Sequence, residues 1–195
     1  LEAIYEVNKN IVLVLNNGRP LVLNWHNEHI PAIVEAWQLG TQSGNAIAQV
    51  LYGDYNPSGK LPMSFPRAVG QIPIYYNYKN TGRPTLPAPG RVFWSHYQDV
   101  ENTPLYSFGY GLSYTSFEYT NLQAEVLSDK EVSVSVMLKN TGKFTGKEVV
   151  QLYIKDHYAT VTRPVRELKG FELVSLKVNE SKKISFILTE RELGF

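Results

Sequence analysis

Four carboxylates stand out as candidates for acid–base work: Glu35, Asp54, Asp99 and Glu101. Glycoside cleavage uses two such groups, about 5–5.5 Å apart for retention of configuration and further apart for inversion. None of the four sits in a local context that singles it out. Asp54 follows a helix stop, and Asp99 and Glu101 lie in a Gly/Pro-rich stretch, so each reads as an ordinary solvated or hydrogen-bonded acid. His26 and His29 are three residues apart beside Trp25. On a helix they could share a face and bind a metal, but no third ligand is identifiable nearby, and surface or capping histidines are the simpler reading. His96 and His157 are isolated, and no Gly-x-Ser-x-Gly elbow exists.

Two glycine loops resemble nucleotide-binding motifs and fail on detail. Gly53-Asp54-Tyr55-Asn56-Pro57-Ser58-Gly59-Lys60 spaces its glycines wrongly for a phosphate loop, and Leu61 stands where Ser or Thr would bind magnesium. It reads as a helix-to-strand turn. Gly109-Tyr110-Gly111 opens a dinucleotide fingerprint, but Tyr114 occupies the third glycine position. No cofactor is expected. Asn179-Glu180-Ser181 matches a glycosylation sequon, relevant only in a eukaryotic secretory host.

The elements that must position these residues fall into three stretches. Residues 1–75 read as an α/β piece with a mostly parallel sheet. Leu1, Ile4 and Tyr5 share a helix face that Asn8-Lys9-Asn10 stops, as though the chain opened inside a helix. Ile11–Leu15 is a continuous apolar run suited to a buried parallel strand, Leu21–Leu23 a possible second strand, and Ala32–Trp37 another. Ser43 could cap a helix whose face is Ala46, Ile47, Val50 and Leu51, with Gly53 at C′. Lys60–Phe65 carries a proline and reads as an edge strand. Residues 76–116 read as an aromatic linker, with turn chemistry at Thr81–Pro84, Leu86–Gly90 and Phe108–Gly111. Residues 117–195 read as an immunoglobulin-like all-β sandwich. Val132, Val134, Val136 and Leu138 alternate with other residues, as do Val150, Leu152 and Ile154, and Ile184, Phe186 and Leu188. Phe117–Leu127 and Leu168–Leu176 are weaker strands. About five strands where seven are usual suggests a sandwich incomplete at its C-terminus.

Composition narrows the partners. The 195 residues carry a formal net charge of +1, which argues against nucleic acid, and no cysteine, which excludes disulfides and thiolate metal sites. The longest apolar run is far too short for a membrane span. Tyrosine is abundant, 13 against 8 Phe and 3 Trp, which favours a surface that meets sugars or proteins.

Longer strings add a resemblance. Ala36–Pro66, Asn17-Gly18-Arg19-Pro20, Gly70–Pro73, Asn80–Pro84 and Leu105–Thr115 resemble the second domain of glycoside hydrolase family 3 and the junction that follows it. Asn140-Thr141-Gly142, Arg163-Pro164 and Leu168–Phe171 are similar to its fibronectin type III-like domain. The resemblance covers essentially the whole chain in order. It implies retaining, exo-acting hydrolysis of β-linked sugars by a longer, periplasmic or secreted enzyme. It also implies an Asp nucleophile on an N-terminal barrel and an acid/base Glu, both upstream of Leu1, so no catalytic residue is expected here. Gln42 stands where related sequences commonly have Glu. The loop Leu39–Asn45 follows a strand end, so Gln42 and Asn45 are candidate substrate contacts; alternatively they cap the helix. Tyr75, Tyr76, Tyr78, Tyr97 and Trp94 could stack on sugar rings or glue domains together. A carbohydrate-binding module and a bracing or homodimerising module remain competing readings.

Overall fold

The computed structural model describes residues 1–83, 93 and 95–194, which form two compact units. Trp94 and the Leu86–Gly90 turn lie outside the described residues.

The first unit holds residues 1–52, 61–76 and the described part of 81–110. Helix α1 (Glu2–Val7) ends at Asn8, whose Oδ1 accepts the Asn10 N–H at 2.9 Å. Strand β1 (Val12–Leu15) pairs parallel with β2 (Ala32–Glu35), Val12 opposite Ala32 and Leu15 opposite Glu35. The ladder runs one step further, Ala36 N–H to the Leu15 carbonyl at 2.9 Å. Leu13–Leu15 are half-buried rather than buried on both faces, because this sheet has two strands among the described residues. Leu21–Leu23 is not a strand. Pro20 offers no N–H, and the chain enters helix α2 (Asn24–His29) directly after Leu23, which is buried as its N-cap.

A single 3₁₀ turn (Gly40–Gln42) leads into helix α3 (Ser43–Leu51). Gln42, not Ser43, takes the N-cap position. Gly53 adopts a φ of 82° just past the helix, the left-handed conformation that glycine supplies at C′. Lys60–Phe65 makes one isolated antiparallel bridge, Phe65 with Tyr106, in place of an edge strand. Pro62 and Pro66 remove the N–H groups that a longer ladder needs. Residues 101–110 instead lie along 61–71 through irregular bonds: Leu61 N–H to the Tyr110 carbonyl and Gly109 N–H to the Leu61 carbonyl, both 2.8 Å. Gln71, itself buried, accepts the Arg67 N–H at 2.6 Å and donates to the Glu101 carbonyl at 2.7 Å.

The second unit holds residues 53–60, 77–80 and 111–194. Strands β3 (Phe117–Ser128), β4 (Glu131–Asn140) and β7 (Ser181–Thr189) form one antiparallel sheet in the order β3-β4-β7. A second pairs β5 (Gly146–Ile154) with β6 (Glu167–Leu176). Alternation drives both: Leu138 and Ile184 from one sheet meet Val150, Val174 and Leu176 from the other, with Phe117, Val136 and Phe186 packed around them. Helix α4 (Glu190–Leu193) starts in a capping box between Thr189 and Glu192, whose carboxyl is held below its usual range by the Thr189 hydroxyl and N–H.

Candidate functional site

The carboxyl ends of β1 and β2 bring together residues far apart in sequence. In an open parallel sheet this edge is where ligands bind. Asn17 follows β1 and Glu35 closes β2; Asn17 Nδ2 donates to Glu35 Oε2 at 3.4 Å. The other carboxylate oxygen, Oε1, accepts the backbone N–H of Trp37 at 2.9 Å. Burial pushes the Glu35 carboxyl above the ordinary glutamate range, outweighing these two bonds, which favour the ionised form. Asn17 Oδ1 is buried and meets no donor among the described residues. Trp37 has a φ of 49°, and its ring packs 5.9 Å from that of Phe65, which is 1% exposed.

Beyond Trp37 the chain passes through Gly40 to the two residues singled out as sugar contacts. Asn45 Nδ2 donates to Gln42 Oε1 at 2.6 Å. Both side chains are exposed, and the Gln42 side chain makes no capping bond at the start of α3. They form a small exposed amide pair, one turn apart, that leaves the Gln42 NH2 group and the Asn45 carbonyl oxygen outside this bond. That pair could donate to and accept from a hydroxyl.

The other candidates lie apart from this edge in sequence or are engaged elsewhere, Glu101 among them. Glu101 Oε2 lies 3.1 Å from an Arg67 guanidinium nitrogen and accepts from Thr103 Oγ1 at 3.1 Å. Asp54 and Asp99 are exposed. His26 and His29 both lie on α2. His29 stacks on Trp25 at 4.6 Å, and its Nδ1 donates to the Trp25 carbonyl at 2.8 Å. No group of three or more His, Cys, Asp or Glu suited to a metal exists among the described residues. Of the tyrosines, Tyr76 stacks on Phe108 at 4.2 Å, while Tyr75, Tyr78 and Tyr97 are exposed. The lysine of the false phosphate loop is spoken for: Lys60 Nζ sits 3.1 Å from Glu148 Oε2.

Comparison with known proteins agrees with this architecture. Residues 1–114 match the glycosyl hydrolase family 3 C-terminal domain, and residues 148–195 match a fibronectin type III-like domain. The chain belongs to glycosyl hydrolase family 3. All of this family 3 chain aligns at 50% identity with a periplasmic beta-glucosidase of Salmonella typhimurium, and at 45% with a beta-xylosidase of Formosa agariphila. It covers 26% of each. A crystal structure of the beta-glucosidase from Listeria innocua in complex with glucose superposes on 98% of the chain with a TM-score of 0.92 and 44% identity, over 27% of that protein. The family 3 chain thus spans about a quarter of the length of the relatives it matches, which are enzymes with an additional N-terminal domain. Its fold is the family's α/β piece followed by a fibronectin type III-like sandwich. No helix among the described residues is long and apolar enough to cross a membrane.

Sequence reasoning weighed Glu35 as a reacting acid and did not see the joint it makes with Asn17 and Trp37. The signal was the aromatic two places beyond the strand-ending Glu, but nothing in the sequence marks a left-handed tryptophan.

Proposed function

We propose that this chain is the C-terminal part of a retaining, exo-acting β-glucosidase that removes terminal, non-reducing β-D-glucosyl residues. The observation carrying this reading is the 50% identity to a periplasmic beta-glucosidase along the whole chain. The described acids support it from the other side. Glu101 is paired with Arg67, Glu35 serves a backbone turn, and Asp54 and Asp99 are exposed. None of these four makes the facing pair that the reaction needs, and in this reading the nucleophile and the acid/base group lie on polypeptide ahead of Leu1, as the family resemblance implies. In this reading the chain alone is inactive. Gln42 and Asn45 contact the sugar from the α/β piece, and the sandwich braces the assembly. The enzyme works in the periplasm or outside the cell on a β-linked glucoside or oligosaccharide.

The test is hydrolysis of an aryl β-glucoside by the complete enzyme, followed by NMR during the first minutes. Release of the β-anomer of glucose supports the proposal; release of the α-anomer, or no hydrolysis of any β-glycoside, contradicts it. The 45% identity to a beta-xylosidase favours β-xylosides as the second substrate class. Comparison of kcat/KM on the two aryl glycosides decides between them.

A further inference from the structure

Trp37 is where the parallel pair releases the chain. Its φ of 49° lies in the left-handed region, where the Cβ of a bulky residue crowds the next carbonyl. A tryptophan stays there only when its surroundings hold it. Gly40, three residues on, has a φ of 74°, which glycine adopts without strain. The chain therefore leaves β2 through two left-handed residues, and only the first needs a clamp.

Glu35 supplies the clamp. Glu35 Oε1 takes the Trp37 N–H, and Glu35 Oε2 takes the Asn17 amide, so one carboxylate ties the turn after β2 to the loop after β1. The same two loops touch again one residue further: a Cβ at Gly18 would come within 3.2 Å of Gln38 Nε2. Phe65 backs the indole ring. This joint carries costs. It leaves Asn17 Oδ1 buried without a donor among the described residues. It also keeps a carboxyl whose raised proton affinity is stabilising only at low pH and is lost as pH rises through the raised value. A group that adds little to stability at neutral pH and fixes a strained turn acts on geometry.

We infer that Glu35 is a positioning residue: by clamping Trp37 it sets the loop Gln38–Asn45, and with it the Gln42–Asn45 amide pair that meets the sugar. The inference rests on the β-glucosidase reading and deepens it, because it assigns part of the substrate affinity to a residue that never touches substrate. Loss of the clamp displaces the amide pair without disturbing the reacting groups.

The experiment uses the complete enzyme with an aryl β-glucoside, comparing wild type with E35A, E35Q, W37G and E35A/W37G. Misplacing a substrate contact by an ångström has large kinetic effects, so E35A should raise KM about tenfold while kcat changes less than about twofold. E35Q should return KM to within about threefold of wild type, because its amide oxygen still accepts from Trp37 and its NH2 group can be taken by a flipped Asn17. Glycine has no penalty at the left-handed position, so adding E35A to W37G should raise KM no further. A merely structural role would lower the unfolding temperature of E35A and leave KM alone. An active wild type with unchanged KM in E35A, or with additive effects in the double variant, overturns the inference and leaves the glycosidase reading standing. An inactive wild type overturns both. If E35A does not fold, E35A/W37G carries the test: it must fold and match W37G, and its failure to do so also overturns the inference.

Discussion

Thr115 Oγ1 donates to Asn140 Oδ1 at 2.7 Å, with both residues buried, and this bond fastens the segment entering β3 to the end of β4. The same Asn140 oxygen accepts the Gly142 N–H at 3.1 Å, and its Nδ2 donates to the carbonyls of Phe144 and Leu176 at 2.8 and 3.1 Å. All four bonds open to the side chain are made. Alanine at this position strands several buried groups at once, so N140A should destabilise the chain by about 2–4 kcal/mol, and T115V by about 1 kcal/mol. Shifts in the urea midpoint check both. N140D should be no better than N140A, since it turns a carboxylate oxygen toward two carbonyls.

Lys60 and Glu148 form a mostly buried pair, 14% and 12% exposed at the side chain. Lys60 also donates to the Gly111 carbonyl at 2.7 Å, and Tyr119 donates its hydroxyl to the other Glu148 oxygen at 3.1 Å. Removing one partner leaves an uncompensated charge, so K60M should cost about 3 kcal/mol of stability, while K60M/E148L should recover most of it. Thermal or urea unfolding of the two variants side by side measures the difference.

The same pair governs an alkaline titration. Burial, and then the adjacent Glu148 charge and hydrogen bond, push the Tyr119 hydroxyl well above the ordinary tyrosine range. The folded state therefore resists ionisation. Its stabilising contribution is intact below the unfolded-state value of about 10 and is lost as pH rises beyond it. Ultraviolet titration should find that Tyr119 ionises at higher pH in wild type than in E148Q.

At the acid end the informative group is Glu167. Burial raises its carboxyl, but the hydrogen bonds from Arg163 and Lys169 outweigh it and bring the carboxyl below the usual range. Arg163 lies 3.2 Å and Lys169 3.3 Å from its oxygens. A lowered value stabilises above the unfolded-state value and is lost as pH falls through the folded one. Wild type should exceed E167Q in unfolding midpoint at pH 7, and the gap should close below about pH 4. A gap that stays constant with pH would mean packing, not charge, explains the difference.

Legibility in the sequence followed the range of the physics. β4, β5 and β7 were readable because alternation is a local signature, and α3 because its apolar face and Gly53 stop are local too. Helix α2 was missed: six residues starting after a buried leucine give no periodicity to detect, and Leu21–Leu23 looked like a strand instead. The Asn56 loop read as a simple turn. Its side chain in fact accepts from Ser113 Oγ and the Tyr114 N–H and donates to the Thr145 carbonyl, 89 positions away. The pairing of residues 101–110 with 61–71 was equally invisible, since proline and side-chain bonds replace a regular ladder. At the candidate site Gln42 and Asn45 were named from loop position and resemblance. The Glu35–Trp37 clamp depends on a backbone conformation that residue type alone argues against.

On the proposed function, the sugar-cleaving acids lie outside this chain, and that placement can be tested. Its most direct test is a fluorogenic β-glucoside assay of these 195 residues, purified alone, beside the complete enzyme at equal molarity. The expected result is turnover by the complete enzyme and none above buffer from the chain. Turnover by the chain alone, abolished by E35Q or by E101Q, would contradict it.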